Sequence, residues 1–574
     1  MYLVFLTYIR VRSALRILST QLQSVTDARE KYKCIRRIKF RCDRARPSER
    51  ETTPPCSPIG AIAAATYRLI ARCCFSDMDV LTILLCLLIL LSVILLSWRI
   101  RKQRLRLPPG PLPLPLLGNI LQGNSVLYDS YRKISEKYGP VFTIWMGSTP
   151  AVVLCGYEVL KDALINHAHQ FGARGSLPIT ERLTKGYGII GVNGERWKQM
   201  RHFAMTTLRN FGMGKRSMEE RIQEEARHLV QAVQQTGGEE LDPLVLLERS
   251  VNNIINFMVF GRRWDYEDEQ CLKYLNITKS LIGFIRSPLG VTYAAFPRIM
   301  WYLPGPHQKI FQDSEELTSF YHDQIRSHWN TLNSDSPRDF IDCFLIKSNE
   351  ENDLNESEFC SDNLVHSIMD LYVAGAETTK NTLQFGLLVM IKYPNIQAKV
   401  QTEIDKVVGA DRWPGLADQD QMHYTNAVIH EIQRFLDLVP MALPHMLTED
   451  TVFRGFNIPK GTTVIPLLGS ALWDPAQWKT PEEFNPGHFL DEKGQFCSPA
   501  AFIPFSAGKR VCPGEGMARM EIFLFFTALL QKFTIRAASP TDTFNLGTLR
   551  RAFRKKGLFY KLRAIPRTCT VEKH

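Results

Sequence analysis

The 574-residue chain predicts a mainly α fold with a small β subdomain, preceded by one membrane-spanning helix. Three observations lead there. Apolar residues recur with a 3.6-residue period over 218–236 and 363–392, as on buried helix faces. Short runs rich in β-branched and aromatic residues occur at 140–154, 451–458 and 462–466, which read as strands. Residues 80–98 form a continuous uncharged apolar stretch, about the length a helix needs to cross a bilayer. No internal repeat or mid-chain linker divides the remainder, so 116–574 reads as one large domain.

The segments N-terminal to that domain come first in the chain. Residues 1–77 hold 15 Lys and Arg against 6 Asp and Glu, a net of +9. The whole chain carries +12, so the rest is close to balanced, and the charge does not argue for nucleic acid. The apolar stretch reads as an anchor over 78–98. Arg99, Arg101, Lys102, Arg104 and Arg106 come directly after it and place the downstream body on the cytosolic side. Dense proline over 108–115 makes 99–115 a basic, semi-rigid hinge. The basic extension 1–77 competes with this orientation, because one span cannot keep both flanks in the cytosol. Met78 directly precedes the span, so the expectation is a working start at Met78. An organelle leader, mitochondrial for instance, is the alternative, since residues 1–20 are apolar and basic without an acid. Thirteen scattered cysteines, an odd number, suit reduced thiols in a cytosol-facing body.

The chemistry centres on one cysteine. Cys512 sits in the loop Phe505-Ser506-Ala507-Gly508-Lys509-Arg510-Val511-Cys512-Pro513-Gly514, ahead of an apolar helix over 517–533. Lys509, Arg510 and the helix N-terminus all favour a thiolate there. Gly508 and Gly514 allow tight turns that aim N–H groups at sulfur. A single thiolate is too few ligands for zinc or an iron–sulfur cluster, but enough for haem, where the porphyrin supplies the others. A buried haem also suits a domain of this size.

The pattern Phe505-x-x-Gly508-x-Arg510-x-Cys512-x-Gly514 resembles the haem-binding loop of cytochromes P450. Ala374-Gly375-Ala376-Glu377-Thr378-Thr379 resembles the oxygen-activating helix of that family, and Glu431-Ile432-Gln433-Arg434 its Glu-x-x-Arg pair. The stretch 481–489 is similar to its meander, with His488 where most families carry arginine. With Trp197, Arg201 and the leader 107–111, the chain is similar to family 2 of animal microsomal P450 monooxygenases.

The resemblance implies a P450 fold around haem b with Cys512 as axial thiolate. It implies that Trp197, Arg201, Arg510 and His445 meet the haem propionates. It implies a structural triad of Glu431, Arg434 and His488. Thr378 can bond back to an upstream carbonyl, and with Glu377 forms a plausible proton route. Small residues Ala374 and Gly375 would let the helix approach a flat cofactor. No flavin- or nicotinamide-binding fingerprint is present, so electrons from NADPH must arrive through a partner. The resemblance implies NADPH–cytochrome P450 reductase at the endoplasmic reticulum membrane, with cytochrome b5 as a further partner. Lys198, Lys509 and Arg519 are the candidate docking cations. Substrate-facing stretches would be 177–190, 271–299, the helix around Ala374, and 439–443. They are mostly apolar and point to a lipophilic substrate such as a fatty acid, steroid or xenobiotic. Five cations within 550–556 depart from the family pattern and read as a solvated face, or else as a site for an anionic group. A P450-type peroxide isomerase or dehydratase, which needs no reductase, is the alternative enzyme class.

Overall fold

The computed structural model describes residues 106–567 apart from 115–116, 120–126, 212–215, 352–356, 540–545, 549 and 551–558, with scattered positions between 84 and 95. The chain divides into two units, Met1–Leu88 and Ile89–His574. The extension 1–77, Met78 and much of the apolar stretch lie outside the described residues. Within that stretch Leu84, Leu87, Leu88, Leu91, Ile94 and Leu95 are helical and exposed. Among the described residues no helix is long and apolar enough to cross a membrane.

The second unit is built on helices. Those that position the site are α1 (Gly194–Asn210), α2 (Arg216–Gln235), α3 (Pro243–Phe260), α4 (Glu269–Arg286), α5 (Ser361–Lys392), α6 (His423–Leu436) and α7 (Glu515–Lys532). The two helices expected from periodicity, 218–236 and 363–392, appear as α2 and α5 with ends shifted by one or two residues. α5 runs 32 residues and is buried over most of its surface, as suits a helix apolar on several sides. It packs against α3 and α7, and α2 packs against α3 and α7 in turn. Asp242 caps α3 by accepting from the Leu244 N–H, with Pro243 at the first helical position.

Three small sheets flank the helices, rather than a single subdomain. The largest runs β1 (Val141–Met146), β2 (Thr149–Leu154), β8 (Thr463–Pro466), β5 (His445–Met446), β3 (Ala173–Arg174). β2 and β8 are parallel and the other neighbours antiparallel. β4 (Glu240–Leu241), β10 (Leu562–Pro566) and β9 (Phe533–Ala537) form the second sheet. β6 (Thr451–Phe453) and β7 (Phe456–Ile458) form a hairpin through Arg454 and Gly455, both at positive φ. The expected strand segments are all present. The two-residue strands β3, β4 and β5 were not foreseeable from periodicity.

The proline-rich hinge is not wholly a free spacer. The Thr143 N–H donates to the Pro109 carbonyl at 2.9 Å, and the Thr143 hydroxyl to the Pro108 carbonyl at 2.8 Å. A Cβ on Gly110 would stand 1.9 Å from the Thr143 carbonyl oxygen, so only glycine permits this approach. Residues 108–110 therefore lie along β1 as part of the body.

Gly375 serves a helix contact. A Cβ there would stand 2.4 Å from Ile255 Cδ1, so the glycine lets α3 close on α5. Gly375→Val should destabilise the fold by about 1–3 kcal/mol through overpacking. Adding Ile255→Ala should recover much of that loss, measured as melting temperature. No interaction between the two substitutions would contradict this packing.

Candidate active site

The cysteine loop is held by backbone contacts. The Cys512 N–H donates to the Phe505 carbonyl at 3.0 Å, closing the loop on itself. Gly508 has φ +72°, and a Cβ there would stand 1.8 Å from the Leu164 carbonyl oxygen. Its need for glycine thus comes from the left-handed backbone and the close approach of Asp162–Asn166. Ser506 also has positive φ, and its buried hydroxyl has no partner among the described residues. That is strain concentrated in the loop. Gly514 has φ −91° and caps α7, so it is not required by a left-handed turn.

The electrostatics at sulfur differ from the expectation. Burial pushes the Cys512 thiol above its ordinary range. The Gly514 and Glu515 N–H groups at the start of α7 and the Arg201 guanidinium pull it back, while the Glu515 carboxylate opposes them. Arg201 is therefore the cation that acts on sulfur, in place of Lys509 and Arg510. Its Nη2 also donates to the Val511 carbonyl at 2.6 Å, tying α1 to the loop.

Beside the loop the fold gathers positive charge. Arg510 is 5% exposed and donates to the carbonyls of Gly172 (2.8 Å) and Val192 (3.0 Å) and to Asn193 Oδ1 (2.7 Å). Its guanidinium carbon lies 3.8 Å from the Trp197 ring centre, a close cation–π contact. Arg201 lies 5.9 Å from the same ring. Arg174 pairs with His445 across β3 and β5 and bonds the carbonyls of Ile190 and Leu443. His445 Nδ1 donates to the Phe171 carbonyl at 2.6 Å.

Burial together with mutual repulsion pushes Arg510 down to about 9 and Arg174 down to about 10. Burial, with Arg174 and Arg510 adding to it, takes His445 down to about 4. Among the described residues none of the three arginines pairs with a carboxylate. Such a set fits a buried ligand with two negative charges, as the propionates of haem are. Trp197, Arg201, Arg510 and His445 are brought together as expected. Arg174 and Asn193 are additions. Asn193 Oδ1 accepts from the Arg174 N–H as well as from Arg510, so it holds two parts of the set at once.

On α5 the Thr378 hydroxyl donates to the Ala374 carbonyl at 2.8 Å. Ala374 is exposed and Thr378 half-buried, although Tyr372, Ala376, Thr379 and Lys380 around them are buried. Ala374 and Thr378 are thus less buried than the residues around them on this stretch of α5. Glu377 is engaged elsewhere: one carboxylate oxygen meets Lys380 Nζ and the other accepts from Asn381 Nδ2 at 3.2 Å.

The triad forms as expected. Arg434 grips Glu431 through two bonds of 2.7 and 2.8 Å, and both side chains are fully buried. His488 Nδ1 lies 3.3 Å from both Glu431 oxygens, while its Nε2 accepts from the Thr480 N–H. Arg434 also donates to the carbonyls of Leu472, Pro481 and Glu483, pinning the meander to α6.

Other expected positions are resolved unevenly. Lys198 and Lys509 are exposed, with Lys198 paired to Glu195 at 2.9 Å. Arg519 instead bonds Glu515 and His430, which commits it to the body. Within 177–190, the Ile189 and Ile190 N–H groups donate to Asp370 at 2.7 and 2.8 Å, latching that segment to α5. Burial pushes Asp370 up to about 6 despite those bonds. Of 550–556 only Arg550 is described. It is buried with its guanidinium 3.5 Å from the Trp473 ring centre, so the stretch does not begin on a solvated face.

Arg434→Met should leave Glu431 buried with its chief counter-charge gone, at a cost of about 3–5 kcal/mol. Thermal or urea unfolding checks this, and wild-type stability would contradict it.

A family model described as Cytochrome P450 matches residues 108–552. Human cytochrome P450 2A13 is 48% identical over 469 residues, covering 81% of this chain and 94% of that protein. Cytochrome P450 2A10 of Oryctolagus cuniculus is 48% identical over 484 residues, covering 84% and 97%. Cytochrome P450 2C20 of Macaca fascicularis is 49% identical over 465 residues, covering 80% and 94%. The cysteine loop and arginine cluster therefore sit in a chain that belongs to the cytochrome P450 family, an enzyme of its monooxygenase type.

Proposed function

We propose that this chain holds haem b through the Cys512 thiolate and hydroxylates or epoxidises a lipophilic substrate with electrons from NADPH. The observation that carries the reading is the arginine cluster around buried Arg510, to which the described residues bring no carboxylate, beside a strained cysteine loop. Bound haem supplies dioxygen activation, in which a C–H substrate, O2, two electrons and two protons give an alcohol and water. Arg174, Arg201, Arg510, Trp197 and His445 would orient the cofactor through its propionates. The α7 N–H groups and Arg201 would stabilise the thiolate against burial. Thr378, half-buried on α5, would hand on a proton, with Glu377 preceding it in the chain.

Electrons would come from NADPH–cytochrome P450 reductase, with cytochrome b5 as a second donor. Exposed Lys198 and Lys509 are cations such an acidic partner could meet. The exposed apolar positions between 84 and 95 support anchoring in the endoplasmic reticulum membrane with the body in the cytosol. The largely apolar stretches 177–190 and 439–443 favour a lipophilic substrate. The intact motif over 374–379 favours oxygen activation over the peroxide isomerase alternative.

Two substitutions test this. Reduced protein under carbon monoxide should show the thiolate-specific Soret band, and Cys512→His should abolish it. A histidine variant that keeps the band would refute the ligand assignment. Thr378→Ala should keep haem and substrate binding but divert NADPH to peroxide, lowering product per NADPH by about ten-fold or more. Unchanged coupling would leave Thr378 a packing residue.

A further inference from the structure

One set of buried charges has no part yet in the site. Lys380 Nζ meets Glu377 and donates to Glu248 Oε1 at 3.2 Å. The other Glu248 oxygen meets Lys279 Nζ. These residues come from α5, α3 and α4, and they alternate in sign. Side-chain exposure is 39% at Lys279, 6% at Glu248, 5% at Lys380 and 17% at Glu377. The chain of charges thus runs from a surface ammonium through two buried groups to the acid that precedes Thr378. Among the described residues, Glu377 and Glu248 are the charged groups set directly against Lys380, with Lys279 behind Glu248.

The charges balance, so the set is sensitive to any single loss. Without Lys380 two buried carboxylates would share one cation, and ionising both would be costly. Glu377 would also keep only its Asn381 bond. With Lys380 in place, both its oxygens are fixed by residues three and four positions further along α5. The Thr378 hydroxyl turns the other way, to a carbonyl one turn back.

We propose that Lys380 is a positioning residue for proton delivery. It holds in place the carboxylate of Glu377, the residue before Thr378 in the chain, and links it through Glu248 to Lys279 at the surface. This rests on the proposed proton route through Glu377 and Thr378.

The holoenzyme of Lys380→Met, with its carbon monoxide band confirmed, tests the proposal. Product per NADPH should fall by about three-fold or more, and its pH profile should move up, because the variant removes the counter-charge between two carboxylates. Lys380→Arg should restore both. A second readout is independent of turnover. The methionine variant should lose melting temperature more steeply than wild type as pH rises from about 5.5 to 8, because carboxylates with raised proton affinity in the folded state destabilise it once ionised.

Should that variant not fold, Lys380→Met with Glu248→Gln keeps the set neutral and must still uncouple. Wild-type coupling and pH profile in the folded variant overturn the proposal. If Thr378→Ala uncouples and Lys380→Met does not, this inference alone falls. If neither uncouples, the proton-route reading falls with it.

Discussion

Arg174 and Arg201, both half-buried, and the buried Arg510 share a corner in which the described residues supply no carboxylate. Desolvation by burial, with the repulsion between guanidiniums adding to it, pushes two of them well below the ordinary arginine range. A fold tolerates this arrangement when a ligand brings the missing negative charge. Much of the local architecture serves to hold the corner. The β3–β5 ladder sets Arg174 against His445. Asn193 bonds Arg174 and Arg510 together. Arg201 reaches from α1 to the Val511 carbonyl, and so couples the corner to the loop that presents Cys512.

A second buried charge set braces the approach to that loop. Glu431, Arg434 and His488 satisfy one another, and Arg434 also donates to two meander carbonyls, Pro481 and Glu483, and to the Leu472 carbonyl. The contrast between the two sets is informative. The triad is internally neutralised, whereas the described residues give the arginine corner no counter-charge. The charges from Lys279 to Glu377 are of the first kind, and they end at the residue before Thr378 on α5.

Much of this was legible in the sequence. The long helices α2 and α5 announced themselves by period, and β1, β2 and β8 by β-branched runs. The cysteine loop, the Glu-x-x-Arg pair and the Thr378 back-bond lie in short contiguous motifs whose spacing carries their chemistry. What was not legible depends on contacts between distant segments. Arg174 sits in a two-residue strand with no periodic signal. Lys380 meets a glutamate 132 positions away. Side-chain direction was the other blind spot. Gly375 turned out to face Ile255, and Arg510 turned out to face carbonyls and Trp197 while Arg201 acts on sulfur. Adjacency in sequence says which residues are near, but not which way they point.

The central claim is that the arginine corner holds the anionic edge of the cofactor. The direct test is the rate at which holoprotein surrenders haem to an excess of apomyoglobin, for wild type and for Arg174→Met. If the corner grips the propionates, the variant should release haem about ten-fold or more faster while keeping its carbon monoxide band. If it does not, removing one of three crowded cations should relieve repulsion. Unchanged haem retention with a higher melting temperature would contradict the account.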